Sequence, residues 1–481
     1  MSDSTGASSA RKTALLALYE RLADKRDKWI GRNAFFHRED RRYTQFLVRS
    51  DARVLEIGCG LGDLLASTQP SHGVGVDFSD AMVRQAKQRH PSLTFVCGDC
   101  ELATTLDGVE GPFDYIIMSD TIGALDDCQS TLQLLHRFCT RDTRLVVSYY
   151  SPLWQPILDL AELIGLKMPQ GEANWLSTDD ISSLLNLADF DVIKTEWRCL
   201  MPLRLLGLGP LINRLLGALP FLRKLSVRNY VIARSLRDVK LERPSTTVVV
   251  PCRNERGNIE AAITRTPQFC SDLEFIFVEG GSSDGTGEEI ERVIAAYPDH
   301  DIKFLRQPGR GKGDAVRTGF AAARGDILMI LDADLTMPPE ALPRFYDALA
   351  NGKGNFINGS RLVYPREREA MRFLNMLANH TFAWLFSWLL NTRFTDTLCG
   401  TKVLTREHYQ RIADNRAYFG DFDPFGDFDL IFGACKQNLK FVEIPVRYAA
   451  RQYGETQISR FRHGWLLAQM VVFAYRKLKA F

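Results

Sequence analysis

The segment Val54 to Asp63, VLEIGCGLGD, combines an acidic residue with regularly spaced glycines. Glu56 closes an apolar run, and Gly58, Gly60 and Gly62 follow at every second position. Glycine lets the backbone approach a ligand, and a helix that follows offers its N-terminal N–H groups. A dinucleotide fingerprint would read G-x-G-x-x-G instead. The acid before the glycines favours a ligand with a cationic amino-acid end and disfavours a pyrophosphate.

Three aspartates follow the next three apolar runs of this half of the chain. Asp77 comes nineteen residues after Gly58, where a carboxylate would accept hydrogen bonds from ribose hydroxyls. Asp99 ends LTFVCGD, near where an adenine amino group would be held, and Asp120 ends YIIMSD. The series predicts that one nucleoside-bearing ligand lies along the ends of four successive strands.

A second set of polar residues lies in the C-terminal half. The stretch VVVPCRNERGNIE carries Pro251, Arg253 and Glu255, and ILDAD carries Asp332 and Asp334 two residues apart. Paired carboxylates on an extended segment leaving a buried strand suit a divalent metal that holds a nucleotide diphosphate. A helix cap is the alternative for this pair, because prolines open a helix shortly afterwards. The nearby GRGKGD is not a P-loop, because its lysine is followed by glycine.

The elements that position both sets alternate between strand-like and helix-like patterns. Such a βαβα rhythm predicts parallel, doubly wound sheets. Strands are expected at 53–57, 73–78, 93–97, 113–118 and 144–149, and again at 246–250, 273–278, 303–305, 327–331 and 355–358. A chain of 481 residues exceeds a single typical core. We therefore expect two α/β domains, residues 1–243 and 244–481.

The series Glu56, Asp77, Asp99 and Asp120 over residues 30–150 resembles class I S-adenosylmethionine-dependent methyltransferases. The resemblance implies a Rossmann-like, seven-stranded, mostly parallel sheet. It also implies that Glu56, Gly58 and Gly60 line the methionine end of S-adenosylmethionine, with Asp77 at the ribose and Asp99 at the adenine. Asp120 completes the expected cofactor-binding set.

The methyl acceptor is less constrained by the sequence. The fourth strand ends in SDTIG and lacks the Asn-Pro-Pro-aromatic motif of many amino-group methyltransferases, which favours an oxygen or carbon acceptor. His136, Tyr149 and Tyr150 are candidate bases. The alternative is a catalytically silent binding module, because a fold does not guarantee its function.

Residues 246–460 resemble glycosyltransferase family 2, and most closely the dolichol- and polyprenyl-phosphate sugar transferases. The resemblance implies an inverting enzyme with a GT-A nucleotide-sugar-binding domain. It places Pro251, Arg253 and Glu255 at the nucleotide, Asp332 and Asp334 at the sugar, diphosphate and Mg²⁺ or Mn²⁺, Arg361 at the phosphates, Asp396 near the acceptor, and Arg451 at the diphosphate.

Three departures from the family pattern stand out, the first of which is Arg253 at a position where an aromatic residue is common. Glu279-Gly280 replaces the usual Asp-Asp after the second strand, although Glu279 is still expected to reach the base. Thr456-Gln457 replaces the usual Ser-Lys of the C-terminal arm. Asp334 and Asp396 are the expected catalytic residues. A lipid phosphate acceptor is already an anion and needs little base, whereas a sugar hydroxyl would need Asp396 as base.

Charge is distributed unevenly along the chain. The net charge is only +2, which gives no sign of a nucleic-acid partner. Residues 198–240, however, carry nine Lys/Arg against one acid, and residues 456–481 carry five against none. Near these lie the apolar stretches 201–222 and 374–390, which are too interrupted to span a bilayer and are expected at an anionic membrane surface. Buried core helices are the alternative.

These patterns together predict a bifunctional enzyme. We expect transfer of a sugar from a nucleotide sugar to a polyprenyl phosphate, and methylation of a glycolipid, sugar or related small acceptor. The alternative is a glycosyltransferase for a polysaccharide or soluble hydroxyl acceptor that carries a silent methyltransferase fold. The small, polar N-terminus MSDSTGASSARK suggests no secretory signal, so the expected place is the cytosolic face of a membrane.

Overall fold

The computed structural model describes residues 9–364, 373–418, 428–447, 449, 451, 453 and 460–479, with the backbone alone for 373–379 and 460–463. The chain divides into two compact units. Unit 1 covers the chain up to Val239, and unit 2 begins at Lys240. The boundary near residue 243 stays a prediction.

Unit 1 is built on a seven-stranded sheet with the order β3-β2-β1-β4-β5-β7-β6. Its strands are β1 Arg53–Ile57, β2 His72–Asp77, β3 Thr94–Cys97, β4 Tyr115–Ser119, β5 Arg144–Tyr150, β6 Phe190–Arg198 and β7 Arg228–Ser235. The first five are parallel, and β7 runs antiparallel to both β5 and β6. Consecutive residues of β1, β4 and β5 are buried, so both faces of the sheet are covered, as the predicted doubly wound fold requires.

The helices of unit 1 precede, connect and follow these strands. They are α1 Ala10–Leu22, α2 Arg26–Arg32, α3 Ala34–Leu47, α4 Asp63–Ser67, α5 Asp80–Arg89, α6 Ala103–Leu106, α7 Cys128–Leu134, α8 Gln155–Leu163, α9 Thr178–Leu187 and α10 Leu208–Leu215. Helices α4 and α5 start directly after β1 and β2. Their N-termini therefore open at the same edge of the sheet as Glu56 and Asp77.

The basic segment 198–240 is not one continuous membrane-facing surface, and that part of the sequence-based interpretation was wrong. Eight of its residues form β7, which is buried along its whole length. Arg228 and Arg234 are 1% and 2% exposed and pair with acids, Arg228 with Asp40 and Arg234 with Asp191. Buried ion pairs satisfy these cations inside the protein. The basic, apolar surface is therefore confined to the stretch before β7.

Unit 2 has a second seven-stranded sheet with the order β10-β9-β8-β11-β13-β12-β14. Its strands are β8 Thr246–Cys252, β9 Leu273–Glu279, β10 Asp301–Arg306, β11 Ile327–Ile330, β12 Phe356–Ser360, β13 Lys402–Thr405 and β14 Phe441–Pro445. Strands β8 to β11 are parallel, whereas β13 is antiparallel to β11 and β12. The carboxyl ends of β8, β9 and β11 thus share one edge, which brings the predicted nucleotide and metal residues together.

The helices of unit 2 include the two for which membrane contact was predicted. They are α11 Ile259–Thr264, α12 Thr286–Ala296, α13 Lys312–Ala322, α14 Leu342–Ala350, α15 Phe373–Leu390, α16 Arg406–Asp414, α17 Phe428–Lys436 and α18 Arg460–Leu478. α15 and α18 pack on each other, and Phe386 and Met470 are buried. Trp384 and Trp465 remain exposed. Thr456 and Gln457 lie outside the described residues.

None of the helices in the part of the chain that the structure describes combines the length and hydropathy needed to cross a membrane.

Candidate functional sites

The glycine loop of unit 1 connects β1 to α4 in a left-handed conformation. Gly58, Gly60 and Gly62 have φ angles of 76°, 53° and 78°, a region that costs other residues free energy. Glu56 is fully enclosed beneath the loop and accepts a hydrogen bond from the Leu65 N–H at 3.0 Å. Burial raises the pKa of Glu56 well above its ordinary value. Burial therefore favours the neutral form of this carboxyl.

Gly58 lies where the loops after β1 and β4 meet. A Cβ atom at this position would lie 2.0 Å from Oγ1 of Thr121. The Thr121 hydroxyl is itself fixed, because it donates to the Ile57 carbonyl at 2.7 Å. The space at Gly58 is thus closed to any side chain.

Asp77 and Asp99 hold the neighbouring loops. Asp77 accepts from the Gly60 N–H at 2.8 Å and from the Ser79 N–H at 2.9 Å, and burial still raises its pKa. Asp99 pairs with Lys12 of α1 at 2.5 Å. Burial lowers the pKa of Lys12, but hydrogen bonds to Asp99 and Glu101 outweigh it and raise the pKa overall. No sequence pattern indicated this lysine.

Asp120 is held by a buried arginine that no sequence pattern indicated. Arg228 of β7 forms ion pairs with Asp120 and with Asp40 of α3, the latter at 2.9 Å. Its guanidinium also donates to the Ser119 hydroxyl at 2.7 Å. Asp120 itself has a positive φ of 60°. The pairing fixes the loop after β4.

A cavity of about 390 Å³ lies against these loops. One part of its wall is the polar set Gly58, Gly60, Asp77, Asp99 and Asp120, and another part is apolar, with Ile157 and Leu158 of α8 and Pro202 and Leu203 beyond β6. A polar part that suits a nucleoside therefore continues into an apolar part that suits a hydrocarbon group.

Of the candidate bases, only Tyr150 lines this cavity, and burial raises its pKa. His136 instead contacts the Ser235 hydroxyl and the Ala188 carbonyl and stacks on Phe190. Tyr149 lies against Gly123. His37, which no pattern singled out, also lines the cavity. Burial lowers the pKa of its imidazole, which keeps His37 in the neutral form that accepts a proton.

The acidic pair of unit 2 follows β11, and each carboxylate faces a cation. Asp332 lies 2.6 Å from Nζ of Lys312, at the start of α13. Burial would raise the pKa of Asp332, but Lys312 outweighs it and lowers the pKa. Asp334 lies 2.7 Å from the Arg451 guanidinium. Its other oxygen accepts from the N–H and hydroxyl of Thr336 at 3.1 and 2.8 Å. This is a local turn and not a helix cap, because the helical residues that follow have Pro338 and Ala341 at their N-cap positions.

The two aspartates suit a divalent cation by the chemistry of their donors, since ionised carboxylates are hard oxygen ligands. No group of three or more His, Cys, Asp or Glu suited to a metal occurs among the described residues. A metal here would therefore take its remaining ligands from water and from a diphosphate, as is common for Mg²⁺.

The predicted nucleotide end is formed by the loops after β8 and β9. Their backbones join where the Gly280 N–H donates to the Cys252 carbonyl at 2.9 Å. Pro251 pairs in register with Val278, and the Arg253 side chain is exposed. Glu255 is 3.5 Å from Arg451, which links this loop to Asp334. Glu279 accepts from the Ser282 N–H and so closes its own loop.

Asp396 and Arg361 form a buried ion pair. Arg361 donates Nε and Nη2 to the two carboxylate oxygens at 2.6 and 2.9 Å, and Asp396 is 1% exposed. Burial would raise the pKa of Asp396, but the Arg361 guanidinium outweighs it and lowers the pKa. The Leu398 N–H also donates to Asp396, at 3.0 Å. Both oxygens are thus occupied in the structure.

We expect Asp396→Asn to lower the free energy of unfolding by about 3 kcal/mol, because it removes the charge of the carboxylate that binds both Nε and Nη2 of the largely enclosed Arg361. Urea denaturation followed by tryptophan fluorescence measures this. Asp347→Asn, at an exposed acid of α14, is the matched control and should change little. Equal urea midpoints for the two variants would show that the Asp396–Arg361 pair does not contribute to the free energy of unfolding.

Two family models match the chain. A methyltransferase domain model matches residues 11–195, and a model of glycosyl transferase family 2 matches residues 247–413. The first range contains the glycine loop and its three aspartates, and the second contains Asp332, Asp334 and Asp396.

Three relatives that are named as sugar transferases or synthases match less than half of the chain. Polyprenol monophosphomannose synthase of Mycolicibacterium smegmatis is 28% identical over 221 residues, which are 44% of this chain and 81% of that protein. Dolichol-phosphate mannosyltransferase of Pyrococcus furiosus is 28% identical over 219 residues, 44% of this chain and 59% of that protein. An undecaprenyl-phosphate 4-deoxy-4-formamido-L-arabinose transferase of Enterobacter sp. is 27% identical over 223 residues, 45% of this chain and 63% of that protein. The chain thus spans less than two thirds of the latter two.

Solved structures give weaker similarities. A SAM-dependent methyltransferase from Thermotoga maritima matches at 17% identity and a TM-score of 0.37, over 46% of this chain and 99% of that chain. Glucosyl-3-phosphoglycerate synthase from Mycobacterium tuberculosis matches at 18% identity and a TM-score of 0.37, over 51% of this chain and 82% of that chain. The family models, the order of the strands and the two loop sets agree that the chain fuses a methyltransferase domain to a family 2 glycosyltransferase domain.

Proposed function

We propose that unit 2 transfers a sugar from a nucleotide-sugar donor to a polyprenyl phosphate, with inversion. The observation that carries this is the pairing of Asp332 with Lys312 and of Asp334 with Arg451. Asp332 and Asp334 would hold Mg²⁺ or Mn²⁺, which would neutralise charge on the leaving diphosphate. Lys312 and Arg451 are then released from the carboxylates to bind the same diphosphate. Pro251, Arg253, Glu255 and Glu279 surround the nucleoside in this proposal.

The state of Asp396 favours a phosphate acceptor over a hydroxyl. A hydroxyl acceptor needs a base that can take its proton. Asp396 has both oxygens engaged, and its pKa is lowered, so its carboxylate is a weak base. A polyprenyl phosphate is already an anion at neutral pH, so it needs no base to remove a proton. Asp396 instead positions Arg361, which we place at the phosphate groups.

Product analysis tests this proposal. The full chain is incubated with a panel of nucleotide sugars and Mn²⁺, with and without polyprenyl phosphate, and the organic phase is read by mass spectrometry. We expect a polyprenyl-phosphate hexose with one of the donors. If no donor gives a glycolipid in the presence of polyprenyl phosphate, the lipid phosphate acceptor is refuted.

We also propose that unit 1 binds S-adenosylmethionine and methylates a glycolipid, sugar or related small acceptor. The enclosed Glu56 beneath the left-handed glycine loop supports this, because it can neutralise the ammonium of the methionine end. Asp77 serves the ribose, Asp99 and the nearby Lys12 serve the adenine end, and Asp120 lies near the methyl group. The cofactor supplies an electrophilic methyl group, and neutral His37 can accept a proton from the acceptor.

We expect binding of S-adenosylmethionine to release a proton and to strengthen as pH rises. Burial raises the pKa of Glu56 in the free protein, and a bound ammonium favours the carboxylate. Affinity therefore increases between the pKa of the bound form and the higher pKa of the free form, by up to about tenfold per pH unit. Calorimetry in buffers of different ionisation heat measures the proton.

Glu56→Gln should abolish that proton release, whereas the exposed Glu110→Gln should preserve it. Proton uptake by the wild-type protein, or a release that survives in Glu56→Gln, would contradict the assignment of Glu56.

We propose, finally, peripheral attachment to an anionic membrane on its cytosolic side. Exposed Trp384 and Trp465 on α15 and α18 support this, since indole rings favour the membrane interface. Flotation of the full chain with phosphatidylglycerol-containing vesicles tests it, and failure to float would refute it.

A further inference from the structure

Exposed apolar side chains are concentrated around the cavity of unit 1. In the part of the chain that the structure describes, twenty-five large apolar side chains are exposed, and sixteen of them lie in two segments, six in 153–166 and ten in 203–225. We call these two segments the apolar rim. A surface this rich in exposed leucine is rare unless it contacts something apolar.

The apolar rim is continuous with the cavity wall. Ile157, Leu166 and Leu203 line the cavity and are 55%, 48% and 56% exposed. The two segments are joined next to the cavity, because the Trp154 indole donates to the Leu225 carbonyl at 2.8 Å. A hydrocarbon chain on the rim could therefore pass into the cavity without crossing a polar surface.

Strained backbone in the second segment of the apolar rim adds to the free-energy cost of exposing its apolar side chains to water. Leu205, Leu206 and Gly207 have φ angles of 43°, 54° and 100°, and bulky residues rarely adopt the left-handed region. The turn leaves the Leu206 side chain fully exposed, and Phe221 is 86% exposed. Strain that projects an apolar side chain outwards points to a function for it.

Charge identifies the partner as a lipid bilayer. Residues 201–225 contain four basic residues and no acid, and Arg204, Arg214 and Lys224 are exposed among the leucines. On α8, Asp159 is exposed, and Glu162 is 3.3 Å from Lys167. Leucine, phenylalanine and cations interspersed on one surface match the interface of an anionic membrane.

We infer that the apolar rim docks on an anionic bilayer and that the methyl acceptor of unit 1 is a lipid, which enters the cavity from the membrane. This inference rests on the proposed methyltransferase function and narrows its acceptor to one class. The lipid chain lies along Ile157, Leu166 and Leu203, and its polar end meets S-adenosylmethionine near Asp120.

Vesicle binding and photo-crosslinking of the full chain test the inference. Leu206→Asp combined with Phe221→Asp should weaken binding to phosphatidylcholine–phosphatidylglycerol vesicles about tenfold or more, because two apolar side chains leave the interface and two anions replace them. Leu187→Asp, at a leucine of α9 that is 62% exposed, is the matched control and should bind within about twofold of the wild type. Vesicles with a photoreactive acyl chain should label 153–166 and 201–225, including the cavity residue Leu158.

The outcomes separate the inference from the proposed function. Unchanged vesicle binding by the double variant, or crosslinks confined to other segments, would overturn the lipid inference. So would a change in oligomeric state of the double variant with vesicle binding intact, which would make the rim a contact between copies. Calorimetry with S-adenosylmethionine, measured separately, decides the methyltransferase function. If the wild-type protein binds none, that proposal fails, and the lipid inference fails with it.

Discussion

Asp334→Asn should reduce sugar transfer by about a thousandfold and leave the affinity for S-adenosylmethionine unchanged. The substitution removes a negative charge from the proposed metal site and leaves Arg451 without its closest carboxylate. Losses of this size are typical when a group that stabilises developing charge is removed. Initial rates of glycolipid formation, with calorimetry on the same preparation, provide both measurements.

Asp299→Asn is the control for this experiment. Asp299 is exposed and precedes β10, so it lies at the amino end of the parallel strands, opposite the proposed site. Its rate of sugar transfer should match that of the wild type. Wild-type activity in Asp334→Asn would refute the role of Asp334, and simultaneous loss of S-adenosylmethionine binding would contradict two independent sites.

The strands that alternate with helices were predicted from sequence with shifts of only a few residues. β1 was expected at 53–57 and begins and ends there, and β8 to β11 follow their apolar runs. Such strands are covered on both faces, so nearly every residue is apolar and the run is visible in the sequence. The structure confirms the predicted two-domain α/β fold. The prediction was possible because the buried strands appear in the sequence as apolar runs.

The positions of the antiparallel strands β7 and β13, and of β14, which is parallel to β12, were not predicted. β7 contains Arg228 and Arg234, which made it resemble an exposed basic segment. Burial of these cations depends on Asp40, Asp120 and Asp191, which come from elsewhere in the chain. A local pattern cannot show such a pairing, because the partner that permits burial is set by the tertiary fold.

The residues of the candidate sites likewise include some that could be predicted from the sequence and some that could not. Residues at the ends of parallel strands, such as Glu56 and Asp332, could be placed from the sequence because those ends share one edge of a sheet. Lys12 and Arg451 reach their acids, Asp99 and Asp334, across 87 and 117 positions of the chain. These cations decide the charge at each site.

Gly58→Ala should abolish binding of S-adenosylmethionine and leave sugar transfer at its wild-type rate. The new Cβ would lie 2.0 Å from the Thr121 hydroxyl oxygen, and the φ of 76° strains any L side chain. Thr121 cannot turn away without losing its hydrogen bond to the Ile57 carbonyl. The loop must therefore move away from the position that the proposed ligand requires. We expect a loss of affinity of at least about a hundredfold, measured by calorimetry.

Gly108→Ala provides the matched control, because an added Cβ at that position meets nothing within 4 Å. Its affinity for S-adenosylmethionine should equal that of the wild type. Thermal unfolding of both variants separates a local change from loss of the fold, and sugar transfer by unit 2 provides an internal reference. If Gly58→Ala binds normally, the glycine loop is not the cofactor site. If the wild-type protein binds no S-adenosylmethionine either, unit 1 is a silent binding module, and its proposed methyltransferase function is refuted.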